Sequence, residues 1–150
     1  MTDHAPAIVI DSREQAPLRF AGLPSVTAGL VTGDYSIAGL EDHFAVERKS
    51  IADLVGSVIQ CRERFERELC RMRGHEFRRL LIIGTRADIE EGRCVSKTLP
   101  KAVMASVDVF EVRYQLPVVW EPSETAAAAL IERWARYFAR EMGNRVGVGP

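Results

Sequence analysis

Asp34, Glu47 and Lys49 are the residues whose types and spacing suggest chemistry in this sequence. Glu47 and Lys49 are two apart, so on an extended strand they project from one face while Arg48 projects from the other. Leu30 to Ile37 and His43 to Lys49 read as strands joined by the turn-like segment Ala38-Gly39-Leu40-Glu41-Asp42. Folding about the centre of that turn pairs residues whose numbers sum to about 81, which sets Asp34 opposite Glu47. Two carboxylates facing each other across a strand pair repel, so the arrangement makes physical sense with a cation between them. Magnesium suits the position, because it prefers hard oxygen ligands and keeps waters for a substrate phosphate. Two acids and an amine on one spot supply what phosphodiester hydrolysis needs. The metal polarises the phosphoryl oxygen and acidifies a water, and the ammonium stabilises or orients the hydroxide and the growing charge. The blander alternative for any one of these residues is that Asp34 caps a turn and that Glu47 and Lys49 form a surface ion pair on an edge strand.

These residues need a scaffold, and the apolar pattern predicts one. Ala7-Ile8-Val9-Ile10-Asp11 reads as a buried strand, Gln15 to Pro24 as a loop, and the two segments above as a hairpin. From Ser50 the spacing of Ile51, Leu54, Val55, Val58, Phe65, Leu69 and Met72 predicts a helix with one apolar stripe, stopped near Gly74. Arg79 to Gly84 reads as another buried strand and is followed by a polar loop to Lys97. Thr98 reads as the N-cap of a helix reaching about Tyr114, Pro117 to Trp120 as a last strand, and Ser123 as the start of an alanine-rich helix to about Met142. This order predicts an α/β fold, a central mixed β-sheet flanked by helices. It spans residues 1–142, with 143–150 as a flexible C-terminal tail.

The 150 residues suit one domain, and 47% hydrophobic with 27% charged residues is ordinary globular composition. No apolar run approaches membrane-spanning length and the N-terminus lacks signal-peptide features, so no membrane association and a cytoplasmic location are expected. A net charge of −1 offers no global attraction to a polyanion, which would have to meet a local basic patch. Arg64, Arg67, Arg71, Arg73, Arg78 and Arg79 could supply one, although Glu63, Glu66 and Glu68 dilute it and a solvated face of ion pairs is an equal reading. Cys61, Cys70 and Cys94 have no metal or redox spacing and read as reduced thiols; His4, His43 and His75 have no ligand spacing.

Gly33-Asp34 followed by Glu47-Arg48-Lys49 matches the acidic and Glu-x-Lys elements of the PD-(D/E)XK nuclease superfamily. Further segments narrow the match: Val9-Ile10-Asp11-Ser12-Arg13-Glu14, Gly33-Asp34-Tyr35, Val46-Glu47-Arg48-Lys49-Ser50-Ile51, Asp53-Leu54, Gly56-Ser57 and Arg62. Together they resemble the nuclease domain of XPF-type structure-specific endonucleases, closely from Ile8 to Gly84 and more loosely to about Arg140. The resemblance implies a restriction-endonuclease-like nuclease fold and a metal-dependent DNA endonuclease of repair or recombination, acting on branched, flap or fork DNA near a duplex-to-single-strand junction. It implies Mg2+, with Mn2+ as a substitute, held by Asp34, Glu47 and a backbone carbonyl near Arg48. Lys49 would be catalytic, and Asp11, Glu14, Arg48 and Asp53 would order or extend the site. Arg62 falls on the apolar stripe of its helix, either as a structural ion pair or as a group reaching the acidic cleft or the scissile phosphate.

Family members often carry a tandem helix-hairpin-helix domain after the nuclease, and this sequence ends before one. Truncation, a partner that supplies the missing DNA grip, or a compact bacterial or phage-like stand-alone form would each account for that. A homodimer or heterodimer is implied through the last two helices, with Val103, Val107, Phe110, Leu130, Trp134 and Phe138 supplying apolar surface or only packing on the sheet. The chief rival is a catalytically silent XPF-like domain serving DNA binding or dimerisation. Loss of an acid or the lysine would mark that class, and all three are present. An enzyme acting on a small phosphorylated substrate is a third reading, and no glycine-rich phosphate loop supports it.

Overall fold

The structure, a computed structural model, describes residues 5–92 and 99–147. His4, Cys94, Lys97, the Thr98 cap and residues 148–150 of the expected tail lie outside the described residues.

The chain forms β1 (Ile8–Asp11), β2 (Ser25–Ala28), β3 (Tyr35–Ile37), β4 (Phe44–Ser50), α1 (Ile51–Ile59), α2 (Arg62–Met72), β5 (Phe77–Ile83), α3 (Arg86–Glu90), α4 (Leu99–Arg113), β6 (Val118–Glu121) and α5 (Glu124–Gly147). The strands make one six-stranded sheet in the order β2-β1-β3-β4-β5-β6. Pairing is antiparallel on both sides of β3 and parallel for β1 with β2, β4 with β5 and β5 with β6, so the sheet is mixed as expected.

Helices cover both faces, which is why β4 and β5 are apolar on both sides where they are deepest. Ala45, Leu80 and Ile82 pack with Leu54, Phe65, Leu69, Val107 and Phe110 of α1, α2 and α4. Phe44, Val46 and Leu81 pack on the other face with Ala127, Ile131 and Ala135 of α5. Strand alternation therefore sorts every side chain of β4 to the α2 side or the α5 side.

Several elements depart from the sequence expectation. The strand expected from Leu30 shrinks to Tyr35–Ile37, because Gly33 takes φ +81° and the Leu30 N–H is captured by the Asp11 carboxylate at 2.9 Å. Strand β2 lies inside no predicted element: all four of its residues are exposed, so it leaves no apolar alternation and is held by its parallel pairing with β1. The single helix expected from Ser50 breaks in two, with the N–H groups of Gln60 and Cys61 both turning back to the Gly56 carbonyl at 2.8 and 3.2 Å. Ser50 caps α1 as its side chain accepts from the Asp53 N–H at 3.1 Å, whereas Cys61 caps α2 with no side-chain bond. Part of the expected polar loop is α3, begun by a capping box between Thr85 and Asp88. Helix α5 continues to Gly147, past the expected end near Met142 and through residues 143–147 of the expected tail.

Candidate active site

The hairpin register pairs Tyr35 with Val46, the sum expected from the turn centre. Because Tyr35 and Ile37 of β3, Ile8 and Ile10 of β1, and Phe44 and Val46 of β4 all enter the α5-side core, Asp11, Asp34, Glu47 and Lys49 fall to the α2 side. Asp34, Glu47, Asp11, Glu14 and Glu68 line one cleft of about 220 Å³.

Gly33 and β4 fix Asp34. A Cβ on Gly33 would sit 3.2 Å from the Val46 carbonyl oxygen, so the positive φ and the close approach both require glycine. The next N–H, of Asp34, donates to that same carbonyl at 2.8 Å. Asp34 Oδ2 then accepts the backbone N–H of Arg48 at 2.8 Å. Burial pushes the Asp34 carboxyl up to about 6, with Glu14 and Asp11 adding to the rise while the Arg48 N–H and Lys49 oppose it.

Glu47 is only 8% exposed, and among the described residues it has neither a hydrogen bond nor an ion pair. Burial first, and then the charges of Asp34 and Glu68, hold its carboxyl well above the usual range, with Lys49 opposing. Strand β4 is interior to the sheet, between β3 and β5, so the edge-strand surface pair does not describe Glu47 and Lys49. Lys49 lies on the predicted face but stands back from the acids. Its Nζ is 5.1 Å from the centre of the Phe65 ring of α2, and it makes no ion pair within 4 Å among the described residues.

The remaining expected site residues divide. The Arg48 side chain leaves on the opposite face, where its guanidinium donates to Glu14 at 3.3 Å, to the Ala16 carbonyl at 2.6 Å and to Glu124 of α5 at 2.8 Å. Glu14 also accepts from the Tyr35 hydroxyl at 2.8 Å. Asp11 is buried with both oxygens engaged, one by the Leu30 N–H and the other by Arg13 Nε at 2.8 Å. These three therefore brace the cleft. Asp53 lies exposed in the first turn of α1 and does not line it. Nor does Arg62, which is bonded to Ser106 at 2.8 Å and Glu66 at 3.2 Å and stacked on Phe110, so the structural ion pair describes it.

Glu68 and Arg71 of α2 complete the cleft wall, whereas the sequence placed them only in a mixed charged face. Their signal was the spacing: both flank the buried stripe of Phe65, Leu69 and Met72 and so face the sheet beside it. Of the six arginines weighed as a basic patch, only Arg71 lines the cleft; Arg78 bonds the carbonyls of His75 and Gln115, and Arg79 stacks on Phe77. Val103, Val107 and Phe110 are fully buried, and Leu130, Trp134 and Phe138 pack on the α5-side core. Val103, Val107 and Phe110 of the expected dimer surface thus serve the chain's own interior, whereas Leu130, Trp134 and Phe138 pack on the core and stay half-buried.

No group of three or more His, Cys, Asp or Glu residues among those described could hold a metal ion. The donor set nevertheless fits a hard divalent cation that brings its own waters: Glu47 is largely buried and its carboxylate has no partner among the described residues, and Asp34 commits one oxygen to Arg48.

A mixed sheet sandwiched by helices, with an acid pair gathered at the join of β3 and β4, defines the XPF-type nuclease-domain fold class. The chain belongs to the ERCC4 domain family, whose model matches residues 10–133. It is similar in structure to XPF from Aeropyrum pernix, with a TM-score of 0.74 at 20% identity, covering 95% of this chain and 69% of that one. A DNA complex of Aeropyrum pernix XPF aligns with a TM-score of 0.70 at 20% identity, covering 91% of this chain and 66% of that one. No curated protein sequence matches the chain. No helix among the described residues is long and apolar enough to cross a membrane.

Proposed function

We propose that the chain is a metal-dependent DNA endonuclease that incises branched, flap or fork DNA. The observation that carries this is Glu47, largely buried beside Asp34 in the cleft, its carboxylate without a hydrogen bond or ion pair among the described residues, an arrangement that costs stability unless a cation shares the two. Asp34, Glu47 and the backbone carbonyl of Arg48 would hold Mg2+, with Mn2+ as a substitute. Bound there, the metal supplies Lewis acidity toward a phosphoryl oxygen and a water.

The protein's own groups do the rest. Lys49 offers a positive charge on the same face, held over Phe65 and available to a phosphate or hydroxide at the acids. Arg13 and Arg71 put two cations on the cleft lining, where an entering phosphate meets them among five carboxylates. Asp11 holds Arg13 in place, and Glu14 with Arg48 ties the end of β4 to α5. Substrate class rests on the family's implied preference and on the DNA bound to the Aeropyrum pernix XPF of similar fold.

The test is a panel of labelled duplex, flap, fork and four-way-junction DNA with Mg2+, Mn2+ or EDTA, run beside Lys49→Ala. Incision of a junction substrate with metal, absent with EDTA and in the alanine protein, supports the proposal. Cleavage that persists in the alanine protein points to a contaminant or a different site, and DNA binding without incision points to the silent-domain alternative.

A further inference from the structure

Val31 is 89% exposed, yet it lines the cleft that holds Asp34 and Glu47. A single exposed valine is ordinary; the position and the anchoring of this one are not. On its N-terminal side Leu30 is buried, its N–H donating to Asp11 at 2.9 Å and its carbonyl accepting from Arg13 at 2.8 Å. On its C-terminal side Gly33 lies against β4, and the Asp34 N–H is tied to the Val46 carbonyl. Both ends of the short tip Val31-Thr32 are therefore pinned, and the tip presents a fixed apolar group to a cleft walled otherwise by carboxylates, Arg13 and Arg71.

An apolar side chain fixed in water gains free energy only when something apolar covers it. A DNA strand in the cleft offers charged phosphates, which the arginines and a metal would take, and apolar sugar and base faces, which they would not. Resting on the endonuclease reading above, we infer that Val31 is a substrate-positioning residue: it packs on the sugar or base face of the nucleotide next to the scissile phosphate and seats that phosphate over Asp34 and Glu47. Proteins that distort DNA use aliphatic side chains in this way, wedging them against a base step.

The experiment compares the wild type with Val31→Ala, Val31→Asp, Val31→Ile and the control Val112→Ala, which alters another highly exposed valine, on α4 and outside the cleft. Binding is measured with Ca2+ replacing Mg2+, on junction DNA carrying 2-aminopurine at successive positions; KM and kcat are measured with Mg2+. Val31→Ala should weaken binding and raise KM about fivefold, in keeping with lost methyl burial, and should dim the 2-aminopurine response at one or two adjacent positions. Val31→Asp should weaken binding at least tenfold through repulsion of the phosphates, Val31→Ile should restore it, and Val112→Ala should match the wild type. Binding, KM and fluorescence unchanged in Val31→Ala and Val31→Asp would overturn the inference while leaving wild-type incision, and hence the nuclease reading, intact. A wild type that binds and shows the Val31 pattern without incising supports the contact and overturns the nuclease reading. Absence of any DNA binding overturns both.

Discussion

The Asp34 carboxylate accepts the backbone N–H of Arg48 at 2.8 Å, while the Arg48 side chain leaves by the opposite face of the sheet to reach Glu14 and Glu124. One residue thus orients the acid through its main chain and braces the far side of the sheet through its guanidinium. The bond engages one Asp34 oxygen, and the residue lines the same cleft as Glu47.

Asp34→Asn should keep the bond to Arg48, because an amide oxygen also accepts it, and should remove a buried charge. Incision should fall by at least about 10³-fold, the scale of losing electrostatic stabilisation of a phosphoryl transition state. In metal-free buffer at pH 7.5 the variant should be more stable than the wild type by about 1–2 kcal/mol, a discounted share of the free energy its raised pKa represents, because the group is part-exposed. Urea denaturation of both proteins in EDTA checks this, and an asparagine variant less stable than the wild type would contradict it.

The same group sets a pH dependence. Asp34 is held near 6 in the folded chain against an ordinary 3.8, so between those values the native state keeps a proton that the unfolded chain has lost. Metal-free stability should therefore fall as pH rises through that window, and Glu47, shifted in the same direction, should add to the loss. Metal binding requires both acids ionised, so the rise in Tm on adding Mg2+ should be small at pH 5 and grow above pH 6. Thermal melts across pH 4.5–8.5, with and without Mg2+, measure both trends, and a Mg2+ effect larger at pH 5 than at pH 8 would contradict the assignment.

Lys49→Ala should lower kcat by about 10²–10³-fold with little change in metal affinity, since the ammonium makes no ion pair with the acids in the free protein and acts on charge that develops later. Single-turnover rates and Mn2+ titration separate the two quantities. A metal affinity changed as much as the rate would place Lys49 in the metal site itself.

Arg62→Ala should do the reverse. It joins α2 to α4 through Ser106 and pairs with Glu66 of its own helix, so the loss should cost about 1–2 kcal/mol while kcat at a permissive temperature stays within about twofold. A large fall in kcat at wild-type stability would return Arg62 to the site.

Gly33→Ala should destabilise by about 1–3 kcal/mol and shift the Asp34 backbone, because alanine disfavours a positive φ and its Cβ would press on the Val46 carbonyl. Incision should fall with it, and Gly39→Ala, with a positive φ but open space around it, gives the control for strain alone.

The acid pair was legible because a hairpin about a short turn has few registers, and strand alternation then assigns faces without knowledge of the rest. Tyr35 opposite Val46 is the relationship the arithmetic required. What was not legible depended on partners distant in sequence. Strand β2 buries no side chain and so leaves no pattern, and the stripe from Ile51 to Met72 reads the same whether the helix is continuous or broken at Gln60. Arg62 fell on the apolar stripe, and Glu66 stands at i,i+4 from it, yet only the placement of α4 shows that its other partner is Ser106 rather than the acids. Thr85 and Asp88 did carry a readable capping signal for α3.

Strand β4 is paired along its whole length with β5, from Phe44 with Phe77 to Ser50 with Ile83. Glu47 and Lys49 consequently ride on main chain whose amides should be among the last to exchange with deuterated solvent, while the exposed β2 strand exchanges early. Changes to the outlying loops and helix faces can then leave Glu47 and Lys49 in register, because main-chain hydrogen bonds to β5 hold the strand that carries them.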